Sequence, residues 1–279
     1  MDNMKKRIKF RKLPVVICLL IGAVIMAFPF LWAVSVSLQN PGLAFVNPPK
    51  FFTPPYKFDN YKIVFQEIEF LHYSLNSLFI AALCIIGQIV SNSFIAFGFA
   101  KYKFKGSSVL FFAVLCTMMI PGNILSIPRY IMWHKVGGLD TYFPLTVQYF
   151  FGDAFNIFLL RQCFLGMPGA LYEAATIDGA SPPRIFAEIY MPLARATIIT
   201  VAVTTFINCW NNMFDPLIYI TTKSKYTIAL ALVYIKGKFE YNLELLMASS
   251  ILAMLPVVIV YFFAQKHFVQ GLTSAAVKG

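Results

Sequence analysis

Of 279 residues, 59% are apolar and only 13% charged, and the mean hydropathy is +0.70. Soluble domains are about half apolar and about a quarter charged, so an ordinary water-soluble core is excluded and a bilayer is the fitting solvent. The net charge of +11 would suggest nucleic acid for a soluble chain; in a membrane chain Lys and Arg collect in the cytoplasmic connections, and no nucleic-acid partner is expected.

In chain order, residues 1–12 form a basic tail, with Lys5, Lys6, Arg7, Lys9, Arg11 and Lys12. An uncharged run, 13–38, follows. A span needs about 20 mostly apolar residues, and this run far exceeds the ~7–15 residues of a cleaved signal core, so it is read as a retained first span. Residues 39–69 hold Pro41, Pro48, Pro49, Pro54 and Pro55, which no continuous helix accommodates; an extended extracellular loop is expected. The remainder, 70–265, carries five more apolar runs: Phe70–Ala100, Gly106–Pro128, Thr141–Leu160, Ala196–Thr222 and Leu245–Gln265. Residues 266–279 make a second cytoplasmic tail. The predicted fold is therefore an all-α polytopic membrane protein with six transmembrane helices. With both termini inside, the cytoplasmic segments hold 14 Lys and Arg and the outer segments 9, the direction the positive-inside rule requires.

The inner segment 161–195 is too polar to span. Pro168 suits a first helical turn, and Ala170, Leu171, Glu173, Ala174 and Ala175 are good helix formers. Gly179 supplies the freedom needed just past a helix end. Ser181 and Pro182 suit the start of a second helix, which Pro192 is expected to stop. Ile185, Phe186 and Ile189 share one apolar face, which must be buried in the bilayer interface or in a partner protein.

The run Glu173-Ala174-Ala175-Thr176-Ile177-Asp178-Gly179-Ala180, with Phe186, Ile189 and Pro192-Leu193 after it, resembles the EAA loop of binding-protein-dependent ABC importer permeases. Phe158-Leu159-Leu160-Arg161-Gln162, Asn76-Ser77, Trp210-Asn211 and the end from Gly271-Leu272-Thr273 to Val277-Lys278-Gly279 are similar to its carbohydrate-uptake branch, the maltose-type permeases. Ala196, where many relatives have proline, and Asn212, where an acid is common, depart from the pattern. The resemblance implies a type I importer permease in the bacterial inner membrane, with the loop as a helix–Gly–helix coupling element seated on a cytoplasmic ATPase. Glu173, Ala174, Ala175, Asp178, Gly179, Ala180, Phe186, Ile189 and Pro192 are then the ATPase-coupling residues. The implied partners are a second homologous permease, two ATPase subunits, an extracellular or periplasmic solute-binding protein and membrane lipid.

Polar groups inside spans are costly and mark candidate sites. Gln88, Ser91, Asn92 and Ser93 lie in the second run, Asn123 in the third and Asp153 in the fourth. Asn208, Asn211, Asn212 and Asp215 recur at helical spacing in the fifth, beside Trp210 and Phe214. Such a face suits a hydrated sugar path, since amides meet hydroxyls and aromatic rings meet the apolar sugar face; hydrogen bonding between helices would select the same residues. The cysteines Cys18, Cys84, Cys116, Cys163 and Cys209 show no CxxC pair and no ligand-spaced His, so they read as packing thiols, with no metal expected. No GxxxxGK[ST] phosphate loop occurs, nor any catalytic constellation. The chain is read as no enzyme and without a cofactor of its own, ATP and magnesium belonging to the partner ATPase. The rival readings are import of a peptide, amino acid or ion, a proton-coupled secondary transporter, which would need paired buried acids or bases, and a membrane enzyme.

Overall fold

The computed structural model describes residues 2–46, 48, 50–67, 69–238 and 242–276, and these contain helices, turns and loops without a strand. Val277, Lys278 and Gly279, part of the family-like end, lie outside the described residues. Among the described residues, three helices are long and apolar enough to cross a membrane: α1 (Asp2–Ser37) over Pro14–Ser37, α3 (Phe70–Lys101) over its whole length, and α14 (Leu243–Ala276) over Leu243–Gln265. Three bent helix pairs bring the number to six when each is one span. In α1, every side chain from Pro14 to Leu31 is exposed, which a helix tolerates when lipid, not water, surrounds it.

The chain divides into two compact units. The first combines residues up to 70 with 232–252. Here the proline-rich segment is organised by side chains rather than by a backbone ladder. Asn60, fully buried, donates to the carbonyls of Ser37 and Gln39 at 2.9 and 3.0 Å. Gln39 donates to Lys50 O, Ser35 Oγ accepts from the Phe52 amide, and Phe51 packs its ring on Phe28 and Trp32. The segment also holds a short helix, α2 (Asp59–Glu67), which the proline content did not announce.

The second unit comprises residues 71–231 and the chain from 253 on. On α3 the buried residues Ser77, Ala81, Cys84, Gln88 and Asn92 recur every three or four positions, forming a single stripe. Three spans expected to be single runs are broken. The third is α4 (Ser107–Cys116) and α5 (Ser126–Lys135), whose extended arms meet at 87°. Pro121 causes this: it holds Ile120 in an extended conformation and interrupts the amide ladder. The fourth runs through α6 (Phe143–Thr146) and α7 (Ala154–Leu165), separated at Gly152, whose φ is +90°. The fifth, α11 (Arg195–Asn211), ends well before Thr222, and only the short α12 (Phe214–Tyr219) follows. Between them in the chain lie α8 (Gly169–Ile177), α9 (Pro182–Ile185), a π-helical turn (Phe186–Tyr190) and α10 (Met191–Leu193). The connection before α14 is itself helical, as α13 (Ile228–Lys238).

Candidate functional site

The 161–195 segment folds as a hairpin. At the end of α8, Asp178 N–H donates to Ala174 O, Gly179 N–H to Thr176 O and Ala180 N–H to Ala175 O, at 3.0, 3.1 and 2.9 Å. The last two bonds are the paired backbone bonds of a Schellman stop, which requires a left-handed residue; Gly179 supplies it at φ +79°. A Cβ there would touch nothing within 4 Å, so the glycine answers to backbone conformation and not to crowding. Pro168 sits at the cap of α8, one residue ahead of its first turn. Ser181 caps α9 through its backbone, without a side-chain bond, and Pro182 opens the helix as expected.

Pro192 does not stop the second arm. The Met191 N–H reaches back five residues to Phe186 O, and this widened turn carries the helical path past the missing proline amide as far as Leu193. The turn away comes at Ala194, where the arm and α11 differ in direction by 78°.

The two faces of the hairpin have different fates. Glu173, Ala174, Ile177, Asp178, Gly179 and Pro192 are exposed, Ile177 at 86%. Ala175, Ile185, Phe186, Tyr190 and Ala194 are buried in one apolar cluster with Ala96 and Phe97 of α3, Leu160 and Phe164 of α7 and Val201 of α11; Ala180 and Ile189 pack against it. The expectation that the Ile185–Phe186–Ile189 face lies on a partner or on lipid is thereby corrected. Phe186 stacks on Phe94 at 4.6 Å between centroids, so it faces its own chain, because the ends of three spans offer apolar surface nearer than any second molecule. Of the residues taken as ATPase-coupling, Glu173, Ala174, Asp178, Gly179 and Pro192 remain free to meet a partner.

The fifth-span polar row is also revised. Because α11 ends at Asn211, positions 212 and 215 do not continue its face. Asn212 and Asp215 bond each other, Nδ2 to Oδ2 at 2.7 Å and the Asp215 amide to Asn212 Oδ1 at 3.2 Å, and so start α12. Trp210 is buried and donates its indole N–H to Ala253 O at 2.9 Å; it holds the fold and lines no open surface. Asn208 and Asn211, three apart, stay exposed on one face.

A polar knot joins α3 to the break in the fourth span. Gln88 Oε1 accepts from Asn92 and Asn156 side-chain amides at 2.6 and 2.8 Å. Asn92 Oδ1 accepts the Asp153 N–H, and the Asp153 carboxylate caps α7 by accepting the Asn156 N–H at 2.9 Å. Asp153 is thus an N-cap. The sequence marked Gln88, Asn92 and Asp153 as costly polar residues but carried no sign that they meet.

At the Phe70 end of α3 a second polar assembly forms, of which the sequence offered no sign apart from Asn76-Ser77. Asn76 donates to the carbonyls of Ser224 and Tyr226, His72 bonds Ser224 O, and Ser77 Oγ accepts the Ile228 N–H that opens α13. Just ahead of Ser224 in the chain, the Thr221 and Thr222 amides and the Thr222 hydroxyl, with Lys225 Nζ, donate to the carboxylate of Asp140, a residue at φ +56°. The Thr222 hydroxyl, then the Thr222 amide and Lys225, hold its carboxyl well below the usual carboxylate range.

Comparison with known proteins places this arrangement. Residues 92–274 match the family described as the binding-protein-dependent transport system inner membrane component. The arabinooligosaccharides transport system permease protein AraQ of Halalkalibacterium halodurans is 30% identical over 88% of this chain and 86% of its own length. The maltodextrin transport system permease protein MdxG of Bacillus subtilis is 31% identical over 82% and 83%, and the trehalose transport system permease protein SugB of Mycobacterium tuberculosis 30% over 90% and 92%. A crystal structure of a bacterial ABC transporter that imports alginate contains a chain of the same fold, with a TM-score of 0.80 at 24% identity, covering 92% of this chain and 97% of that one.

Proposed function

The chain belongs to the family of binding-protein-dependent transport system inner membrane components, and from that premise we propose that it is the permease subunit of an ATP-driven sugar or oligosaccharide importer. It forms half of the path across the inner membrane. The relatives' names, which cover arabinooligosaccharides, maltodextrin and trehalose, support the substrate class. Its partners are a second homologous permease, two cytoplasmic ATPase subunits, which hold the ATP and magnesium, and a solute-binding protein outside. Both termini and the hairpin lie in the cytoplasm, in keeping with the Lys and Arg excess there. In a cysteine-free background, an impermeant thiol reagent should label a cysteine placed at 57 and not one at 103; the reverse would invert the topology.

One observation carries the coupling role: a hairpin with one face locked onto three spans and the other, with Glu173, Ala174, Ile177, Asp178 and Gly179, left open. A rigid lever of this kind passes movement from an outside partner to the membrane helices. Asn208 and Asn211 offer amides to a hydroxylated solute along the fifth span.

The test is Gly179→Pro. Proline fixes φ near −65° and lacks the amide that bonds Thr176, so the stop at Gly179 is lost while the spans still insert. The expected result is parental membrane level with loss of co-purified ATPase or of hydrolysis stimulated by loaded binding protein. Parental transport and hydrolysis would show that the hairpin is not the coupling element.

A further inference from the structure

We propose that Phe97 is the positioning residue through which the hairpin moves α3, an inference that rests on the coupling role proposed above. Phe97 is buried one helical turn before the end of α3. Its ring meets the first arm of the hairpin at Tyr172 (6.5 Å between centroids), the second arm at Phe186 and Tyr190 (5.1 and 5.2 Å), and the span that feeds the hairpin at Phe164 (6.0 Å). One side chain therefore touches both sides of the Gly179 turn and the helix before it.

Its neighbours do less. Phe94 stacks on Phe186, within the second arm, and Lys101 lies over the Tyr190 ring at 4.5 Å, also on that arm. The contacts of Phe97 are tilted or edge-on, between 44° and 87°. Such packing has no bond direction to preserve, yet it is dense enough to transmit displacement. A hairpin pushed from its open face has to carry this ring with it or open a gap beneath it. Because α3 also holds Gln88 and Asn92 of the polar knot, a shift of Phe97 along or about the helix reaches the break in the fourth span.

The experiment uses the whole complex, reconstituted in nanodiscs with its ATPase subunits and binding protein. Phe97→Leu keeps an apolar side chain and removes the ring; Phe94→Leu is the control, and Phe97→Tyr keeps the ring as the conservative rescue. The readouts are co-purified ATPase, basal hydrolysis, and the stimulation by loaded binding protein. Phe97→Leu should retain ATPase and basal hydrolysis at parental levels but lose about fivefold or more of the stimulation, with the control losing less and Phe97→Tyr recovering most of it. Unchanged stimulation in Phe97→Leu overturns the proposal, and so does loss of the ATPase subunits, which would make the ring an assembly element. If Phe97→Leu does not reach the membrane, Phe97→Met, a more adaptable apolar side chain, is read by the same criteria. Failure of the coupling role itself would appear separately, as a Gly179→Pro complex that behaves like the parent.

Discussion

The two ends of α3 are fastened by different chemistry. At the Lys101 end, Phe94 and Phe97 are held by the rings of Phe164, Tyr172, Phe186 and Tyr190. At the Phe70 end, Asn76, His72 and Ser77 bond backbone groups of residues 224–228. Hydrogen bonds weaken steeply when their angle or distance changes, so the Phe70 end fixes register. Ring contacts are individually small and broad in angle, so the Lys101 end can shift without losing its packing all at once. The coupling role proposed above, in which one end of the helix is held and the other moves, needs this division.

Three outcomes would sharpen or break that comparison. The largest is expected from Phe186→Ala. Removing a buried ring costs about 3–5 kcal/mol in a packed core, and here it also removes the second arm's ring contact with Phe94 and one of its two with Phe97. The midpoint of thermal unfolding in detergent should drop by several degrees, and a drop no larger than that of an exposed control such as Ile177→Ala would deny that the rings hold this end.

A smaller effect concerns acid. Asp140 has its pKa depressed in the folded chain, so its contribution to stability is complete above the unfolded value of about 4 and fades as pH falls through the lower folded value. Asp140→Asn should therefore melt below the parent at pH 7, with the gap narrowing below about pH 4 and constant between neutral pH and pH 5. A gap that stays constant into acid would mean that the carboxylate charge, and its pairing with Lys225 at 2.9 Å, adds nothing to the clamp.

The smallest effect is a near absence of one. Tyr190 is fully buried, and its hydroxyl has no hydrogen-bond partner among the described residues. Its ring does the packing, so Tyr190→Phe should leave the melting midpoint unchanged or raise it, since an orphaned buried hydroxyl costs about 1–3 kcal/mol. A clear fall in the midpoint would place a polar bond at the ring-held end and blur the contrast between the two.

Local features of the sequence determined a good deal. Each apolar run carries its own drive into the bilayer, and the helix starts and stops of the hairpin are written in single residues: Gly179 at φ +79° and Pro182 at the head of α9. What only the tertiary structure decided was which faces meet. In a chain with lipid on the outside, apolar residues cover both buried and exposed surfaces, so the apolar character of α3 does not separate its buried Phe97 from its exposed Phe94. The same holds for breaks and pairings. Asn211 ends α11 within an apolar run, and Asp140 finds Thr222 82 residues away, because a polar partner is chosen by distance in space, and spacing along the chain does not record it.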